Sequence, residues 1–138
     1  MEISHLVLGD LLEVKKFTDL WIGHGYYSLE QLKNILDLSR DQGKNCSFVA
    51  RDFGGDLIGV RLTYAPSKKW QTMRHLSPQQ WQVPEEKVAY FKSLFIDEKY
   101  QGIGLGKQLS QASLEVIKSL GGKAVVCHSW LESPNNSS

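Results

Sequence analysis

The chain lacks a strong excess of charge of either sign. Sixteen Lys and Arg against fifteen Asp and Glu leave a formal net charge of +1, which argues against a dedicated binder of nucleic acid or of a membrane surface. Cysteine is scarce. Cys46 and Cys127 are the two in the chain, too few for a disulfide framework, so a reducing cytoplasm is the expected setting. No apolar run approaches the roughly 20 residues of a spanning helix, and the short acidic N-terminus does not read as a signal peptide. His5, His24 and His75 show no ligand spacing with one another or with the cysteines, so no metal site is expected. Repeats and low-complexity tracts are absent as well. What remains is ordinary globular composition, 41% hydrophobic and 22% charged over 138 residues. That length suits one domain, residues 1–138, able to bury about two thirds of its unfolded surface.

The feature richest in chemistry is Leu94-Phe95-Ile96-Asp97-Glu98-Lys99-Tyr100-Gln101-Gly102-Ile103-Gly104-Leu105-Gly106-Lys107. It reads as an apolar strand, a glycine-dense turn and the start of an amphipathic helix. Alternating Gly102, Gly104 and Gly106 let the backbone approach a ligand closely. Leu105, Leu109, Ala112, Val116 and Leu120 then fall on one helical face, and Gly121-Gly122 supplies the stop. Free N–H groups of the first turn, with the positive end of the helix dipole and Lys107 beside it, predict an anion site. A phosphate-bearing ligand is the natural reading.

Spacing narrows that ligand. A P-loop requires Gly where Gln101 stands and a hydroxyl where Gln108 stands. The dinucleotide pattern GxGxxG fails at Lys107 and at Leu109. The pattern present is Gln-x-x-Gly-x-Gly, over Gln101, Gly104 and Gly106. With Leu94-x-Ile96 before it and a long amphipathic helix after it, the segment resembles the acyl-CoA pyrophosphate loop of the GNAT superfamily of N-acyltransferases.

Element order is compatible. Ile3 to Leu8 suits a strand. Asp10 with Glu13 predicts a capping box opening a helix to about Trp21, and Ser28 with Gln31 repeats the device for a second helix ended by Gly43. Cys46 to Arg51 and Leu57 to Tyr64 read as strands joined by the turn Asp52 to Asp56. Val88 to Ile96 is a long, nearly continuous apolar strand, and Lys123 to Trp130 follows the helix as another. The predicted class is α/β (α+β), a mixed, mostly antiparallel sheet flanked by helices in the order β-α-α-β-β-β-α-β.

The resemblance implies an N-acyltransferase that moves an acetyl or other acyl group from acyl-CoA to an amine, on a small molecule or a protein. It implies that the pantetheine arm pairs with the backbone of Leu94, Phe95 and Ile96, the Ile96 N–H polarising the thioester carbonyl. The pyrophosphate would sit over Gln101, Gly102, Ile103, Gly104, Leu105, Gly106 and Lys107. Asn135 falls where many members place an asparagine against the cofactor, and Tyr26-Tyr27 where the family often lines the acceptor pocket. Simple packing is the plainer role for those tyrosines. The family usually continues past the fifth strand with a helix and two strands, the helix carrying a tyrosine that protonates the leaving thiolate. That arm is not in this sequence. A non-catalytic acyl-CoA-binding module and a homodimer completed by a partner's arm are therefore alternatives.

Other residues leave readings open. His128 is the best titratable candidate for a base, since its ordinary pKa lies near neutrality; a hydrogen-bonded structural histidine is the alternative. Cys127, Ser129 and Glu132 neighbour it, and Cys127 has no readable nucleophile pattern. Between Ala65 and Glu86 runs a long connection with Trp70, Trp81, Arg74 and His75. Those residues either shape an acceptor pocket or, for the tryptophans, pin the loop to the core.

Overall fold

The structure, a computed structural model, describes residues 1–71 and 83–127. A five-stranded sheet carries the fold in the order β1-β4-β5-β6-β7. Its strands are β1 (Glu2–His5), β4 (Phe48–Arg51), β5 (Leu57–Tyr64), β6 (Val88–Ile96) and β7 (Ala124–Val126). All neighbours are antiparallel except β6 and β7, which run parallel. Helices α1 (Leu11–Trp21) and α2 (Leu29–Ser39) pack on one face, and α3 (Leu105–Ser119) on the other. The predicted class and the order of the main elements are those observed.

Side-chain alternation divides the core between the two faces. Val60, Leu62, Tyr64, Val88 and Tyr90 join Leu6, Val14, Leu32, Ile35 and Leu36 under α1 and α2. Phe48, Ala50 and Ile58 meet Leu105 and Leu109 under α3.

Several boundaries differ from expectation. β1 ends at His5, and Leu8–Asp10 forms a 3-10 turn. Asp10 and Glu13 make no capping box. Asp10 Oδ2 instead accepts the Val7 N–H at 3.0 Å, while both carboxylates hold Arg51 at 2.9 Å across the sheet edge. A local motif lost to a cation supplied from a strand some forty residues away. The Arg51 hydrogen bond holds the Glu13 carboxyl below its ordinary range. Ser28 and Gln31 do form the predicted box, Ser28 Oγ accepting from Gln31 N at 3.0 Å and Gln31 Oε1 from Ser28 N at 2.8 Å. Helix α2 stops at Ser39, before Gly43. Gln42 and Gly43, with φ of 52° and 76°, form the two-residue turn of a small hairpin, β2 (Arg40–Asp41) and β3 (Lys44–Asn45), as positive φ at both central positions favours.

The sequence places Leu105, Leu109, Ala112, Val116 and Leu120 on one face of α3. The most buried line is Leu105, Leu109, Ser113 and Ile117, with Ala112, Val116 and Leu120 packed along its edge. Ser113 escaped the apolar pattern because it is polar, yet it is buried and donates to Cys46 O at 2.6 Å. Gly121 and Gly122 end the helix as predicted, their N–H groups closing on Lys118 O and Ile117 O.

Trp70 decides part of the long connection after β5. It is fully buried, stacks on Tyr90 at 5.2 Å and donates its indole N–H to Val88 O at 3.2 Å. It pins the loop to the core. Trp81, Arg74 and His75 lie outside the described residues.

Arg61 is the one buried arginine among the described residues, and no carboxylate meets it there. Its guanidinium lies 4.1 Å over Phe91, reaches Ser110 Oγ at 3.4 Å and leaves Nε without a partner. Burial lowers its pKa to about 10, meaning that the folded state disfavours the charge. Arg61→Met keeps the stem's packing and removes that charge. It is expected to leave stability unchanged or raise it by up to roughly 2 kcal/mol, read from the urea midpoint. A loss of similar size would mean that the guanidinium contacts hold β5 to α3.

Candidate functional site

The predicted anion loop lies at the C-terminal end of β6. Asp97 caps a 3-10 turn, Glu98–Tyr100, by accepting the Lys99 N–H at 2.9 Å. Residues 101–104 are exposed, and Leu105 is buried. Gly104 is the N-cap of α3 with φ 84°, a left-handed conformation that glycine adopts without steric cost. The first rung of the helix ladder is Gln108 N–H to Gly104 O at 3.0 Å. The N–H groups of Leu105, Gly106 and Lys107 therefore precede the ladder and face outward from a 15-residue helix.

Gly106 fixes how close that helix end comes to the strand. A Cβ there would meet Leu94 Cδ2 at 3.1 Å, tighter than side chains ordinarily pack. Its lack of a side chain seats the first turn of α3 directly against β6. Glycines at 104 and 106 thus serve different ends, one conformational and one steric.

The second element is the edge of β6 that is open among the described residues. β7 pairs with Val88, Ala89 and Tyr90, and no described residue of β7 pairs with Phe91–Ile96. Which backbone groups point there follows from the ladder with β5. Asp97 N–H donates to Ile58 O at 2.9 Å, and Gly59 stands opposite Ile96. Because bonded and non-bonded pairs alternate, Phe95 turns its backbone groups toward β5, while Leu94 and Ile96 turn theirs to the open edge. The Ile96 carbonyl is already engaged by Gln101 Nε2 at 3.1 Å, leaving its N–H as the donor on that edge. Of the three strand residues expected to line the edge, the geometry selects Leu94 and Ile96. The same bond explains Gln101: its side chain ties the loop back to the strand.

The third element lies on the α2 face of the sheet. The β5–β6 register pairs Leu62 with Ser93 and Thr63 with Phe91, so Lys92 is an extra residue that the register with β5 skips. Such a bulge places two consecutive side chains on one face. Ser93 Oγ meets Tyr27 OH at 2.8 Å, and Lys92 Nζ lies 6.0 Å from the Tyr27 ring centre. Burial pushes the Tyr27 phenol up to about 12, outweighing the Ser93 hydrogen bond, so it stays protonated at neutral pH. Tyr26 sits edge-on to Tyr27 and to Phe95. A cavity of about 190 Å³ opens here, lined by Tyr27, Gln31, Asn34, Tyr64 and Lys92 with Ile35 and Leu38.

His128 and Asn135 lie outside the described residues, as do Ser129 and Glu132. Cys127 is partly buried and Cys46 fully so, neither in a disulfide, and burial raises the Cys46 thiol to about 12. Among the described residues no group of three or more His, Cys, Asp or Glu is arranged to hold a metal ion, and no helix is long and apolar enough to cross a membrane. Sequence reasoning missed Lys92 as a cavity residue. Its only local signal was a cation inside an otherwise apolar strand.

Comparison with known proteins gives the same architecture. The chain superposes on AAC(6')-Iy in complex with the bisubstrate analogue CoA-S-monomethyl-acetylneamine with a TM-score of 0.70 at 17% identity, covering 99% of this chain and 84% of that one. An acetyltransferase from Trypanosoma brucei gives 0.63 at 22% identity, over 93% of this chain and 82% of that one. The ribosomal-protein-alanine N-acetyltransferase of Brucella melitensis biovar Abortus gives 0.58 at 15% identity, over 92% and 79%. No curated protein matches. The family model for the acetyltransferase (GNAT) family matches residues 12–138. A glycine-capped helix beside an open strand edge, on this sheet and within that match, makes the chain a member of the GNAT acetyltransferase family.

Proposed function

We propose that the chain is an N-acetyltransferase that takes its acetyl group from acetyl-CoA and delivers it to an amine. The observation that carries this reading is the juxtaposition of the Leu105–Lys107 N–H groups with the open edge of β6 at Leu94 and Ile96. Glycines admit a diphosphate to the helix end, and the dipole favours its charge. The complex of AAC(6')-Iy with a CoA-derived analogue supports CoA as the ligand by analogy of fold.

In this reading residues 101–107 hold the pyrophosphate, and the backbone of Leu94 and Ile96 takes the pantetheine arm as an added strand. Transfer forms a carbon–nitrogen bond and breaks the carbon–sulfur bond, leaving CoA thiol and an amide. The Ile96 N–H is the proposed donor to the carbonyl oxygen as it gains charge. The amine approaches from the Tyr27 side of β6. A base must take its proton, and the Tyr27 phenol, already protonated, is unsuited. His128, two residues beyond β7, is the proposed base.

Calorimetric titration with acetyl-CoA, followed by a thiol-release assay with amines, tests the reading. The expected result is saturable acetyl-CoA binding and amine-dependent release of CoA. Absence of binding would overturn it. Binding with no turnover across a broad amine panel would favour an acyl-CoA-binding module instead.

A further inference from the structure

Arg61 is a buried cation that the fold leaves without an anion among the described residues. Its side chain is 6% exposed, and taking a charge out of water is costly unless an anion or a full set of hydrogen bonds receives it. Nη1 reaches Ser110 Oγ at a long 3.4 Å, Phe91 covers one face of the guanidinium at 4.1 Å, and Nε has no partner. The Nε–Nη2 edge is left over. Such an edge grips a carboxylate through two parallel hydrogen bonds.

The strand ladders place this group. Among the described residues, Tyr90 with Val126 is the last pair between β6 and β7, so Phe91 and Cys127 are the first residues beyond the fork. The guanidinium lies over Phe91 and within electrostatic range of Cys127. Arg61 itself stands opposite Leu94, and its bond to Ser110 sets it against α3. The cation therefore sits at the inner end of the open stretch of β6, on the α3 face. Tyr27 and Ser93 meet on the other face, the side assigned to the amine. Arg61 is placed to meet the donor.

We propose that the site takes a second class of donor, an acyl-CoA whose short acyl chain ends in a carboxylate, and that Arg61 binds that carboxylate. This rests on the reading of the β6 edge as the CoA site. With the pyrophosphate over residues 101–107, a pantetheine arm laid back along Ile96 and Leu94 heads toward the fork, and the acyl chain continues that way. Acetyl brings a methyl group in that direction; succinyl brings an anion. Burial, which disfavours the lone guanidinium, strengthens its pairing with a carboxylate. The chemistry of transfer is the same for both donors. The carbon–sulfur bond breaks and the carbon–nitrogen bond forms, the amine gives up a proton, the leaving thiolate takes one up, and the amide product keeps the carboxylate.

Calorimetry on the full chain compares succinyl-CoA with butyryl-CoA, which has the same chain length without the carboxylate, and with acetyl-CoA. Succinyl-CoA is expected to bind at least roughly tenfold more tightly than butyryl-CoA. Arg61→Met should bring that ratio down to about one. Arg61→Lys keeps a charge without the planar fork and should hold an intermediate ratio. Urea midpoints confirm that each variant is folded, and thiol release with an amine panel should follow the same order in kcat/KM. Equal or weaker binding of succinyl-CoA by the unaltered chain overturns the proposal whatever the variants do. A tenfold ratio that survives in Arg61→Met or rises in Arg61→Lys overturns it too, because another group would then hold the carboxylate. In either case binding of acetyl-CoA leaves the CoA site standing. Failure of all three thioesters to bind removes both readings.

Discussion

Gly104→Val is expected to weaken acetyl-CoA binding roughly a hundredfold, about 2.8 kcal/mol, in a protein that still folds. Gly104 has φ 84°, where a β-branched residue is strained by about 1–3 kcal/mol. The loop escapes the strain by changing its backbone, which moves the outward N–H groups of Leu105 to Lys107 away from a common focus. Each charge-assisted hydrogen bond lost costs about 1.5–3 kcal/mol, so losing one or two accounts for the size of the effect. Among the described residues, chain neighbours aside, no atom lies within 4 Å of where a Cβ would stand here, so steric collision does not confuse the result. Gly104→Asn makes the control, because asparagine tolerates left-handed backbone and should retain most of the affinity. Calorimetry with circular dichroism of each variant makes the check. A folded Gly104→Val protein with undiminished affinity would defeat the assignment of the loop.

Trp70→Ala is expected to destabilise the fold by about 3–5 kcal/mol, measured as the shift in chemical denaturation. The side chain is fully buried between Tyr64 and Tyr90. Its removal leaves a large cavity and deprives Val88 O of the indole donor. A domain holds about 5–15 kcal/mol in all, so the variant would be marginal at physiological temperature. Trp70→Phe fills most of the volume without the hydrogen bond and should recover the larger share. A loss below about 1 kcal/mol for the alanine variant would show that Trp70 is not the anchor of the loop.

Both predictions concern residues visible in the sequence, but for different reasons. Gly104 stood in a spacing that names a ligand class, and its conformation follows from the chain immediately around it. Trp70 stood in a segment with two open readings. Only its burial against Tyr90, contributed by a strand some twenty residues later, settled that it packs the core. Asp10 and Glu13 show the converse. Their spacing satisfied a local capping rule, yet Arg51 on β4 captured both carboxylates. A charged bidentate partner outcompetes a single backbone N–H where the fold brings one within reach.

The sequence by itself determined the order of the main strands and helices, the capping of α2, the end of α3 and the glycine turn that opens it. Each of these rests on interactions within a few residues, where periodicity and turn chemistry are decisive. Only the tertiary structure decided which edge of β6 is open, why Ile96 and not Phe95 faces it, and that Lys92 looks into a cavity with Tyr27. Those follow from pairing between strands far apart in the chain. Shifting that pairing by one residue reverses the face every side chain occupies, and no local pattern records where a bulge will fall.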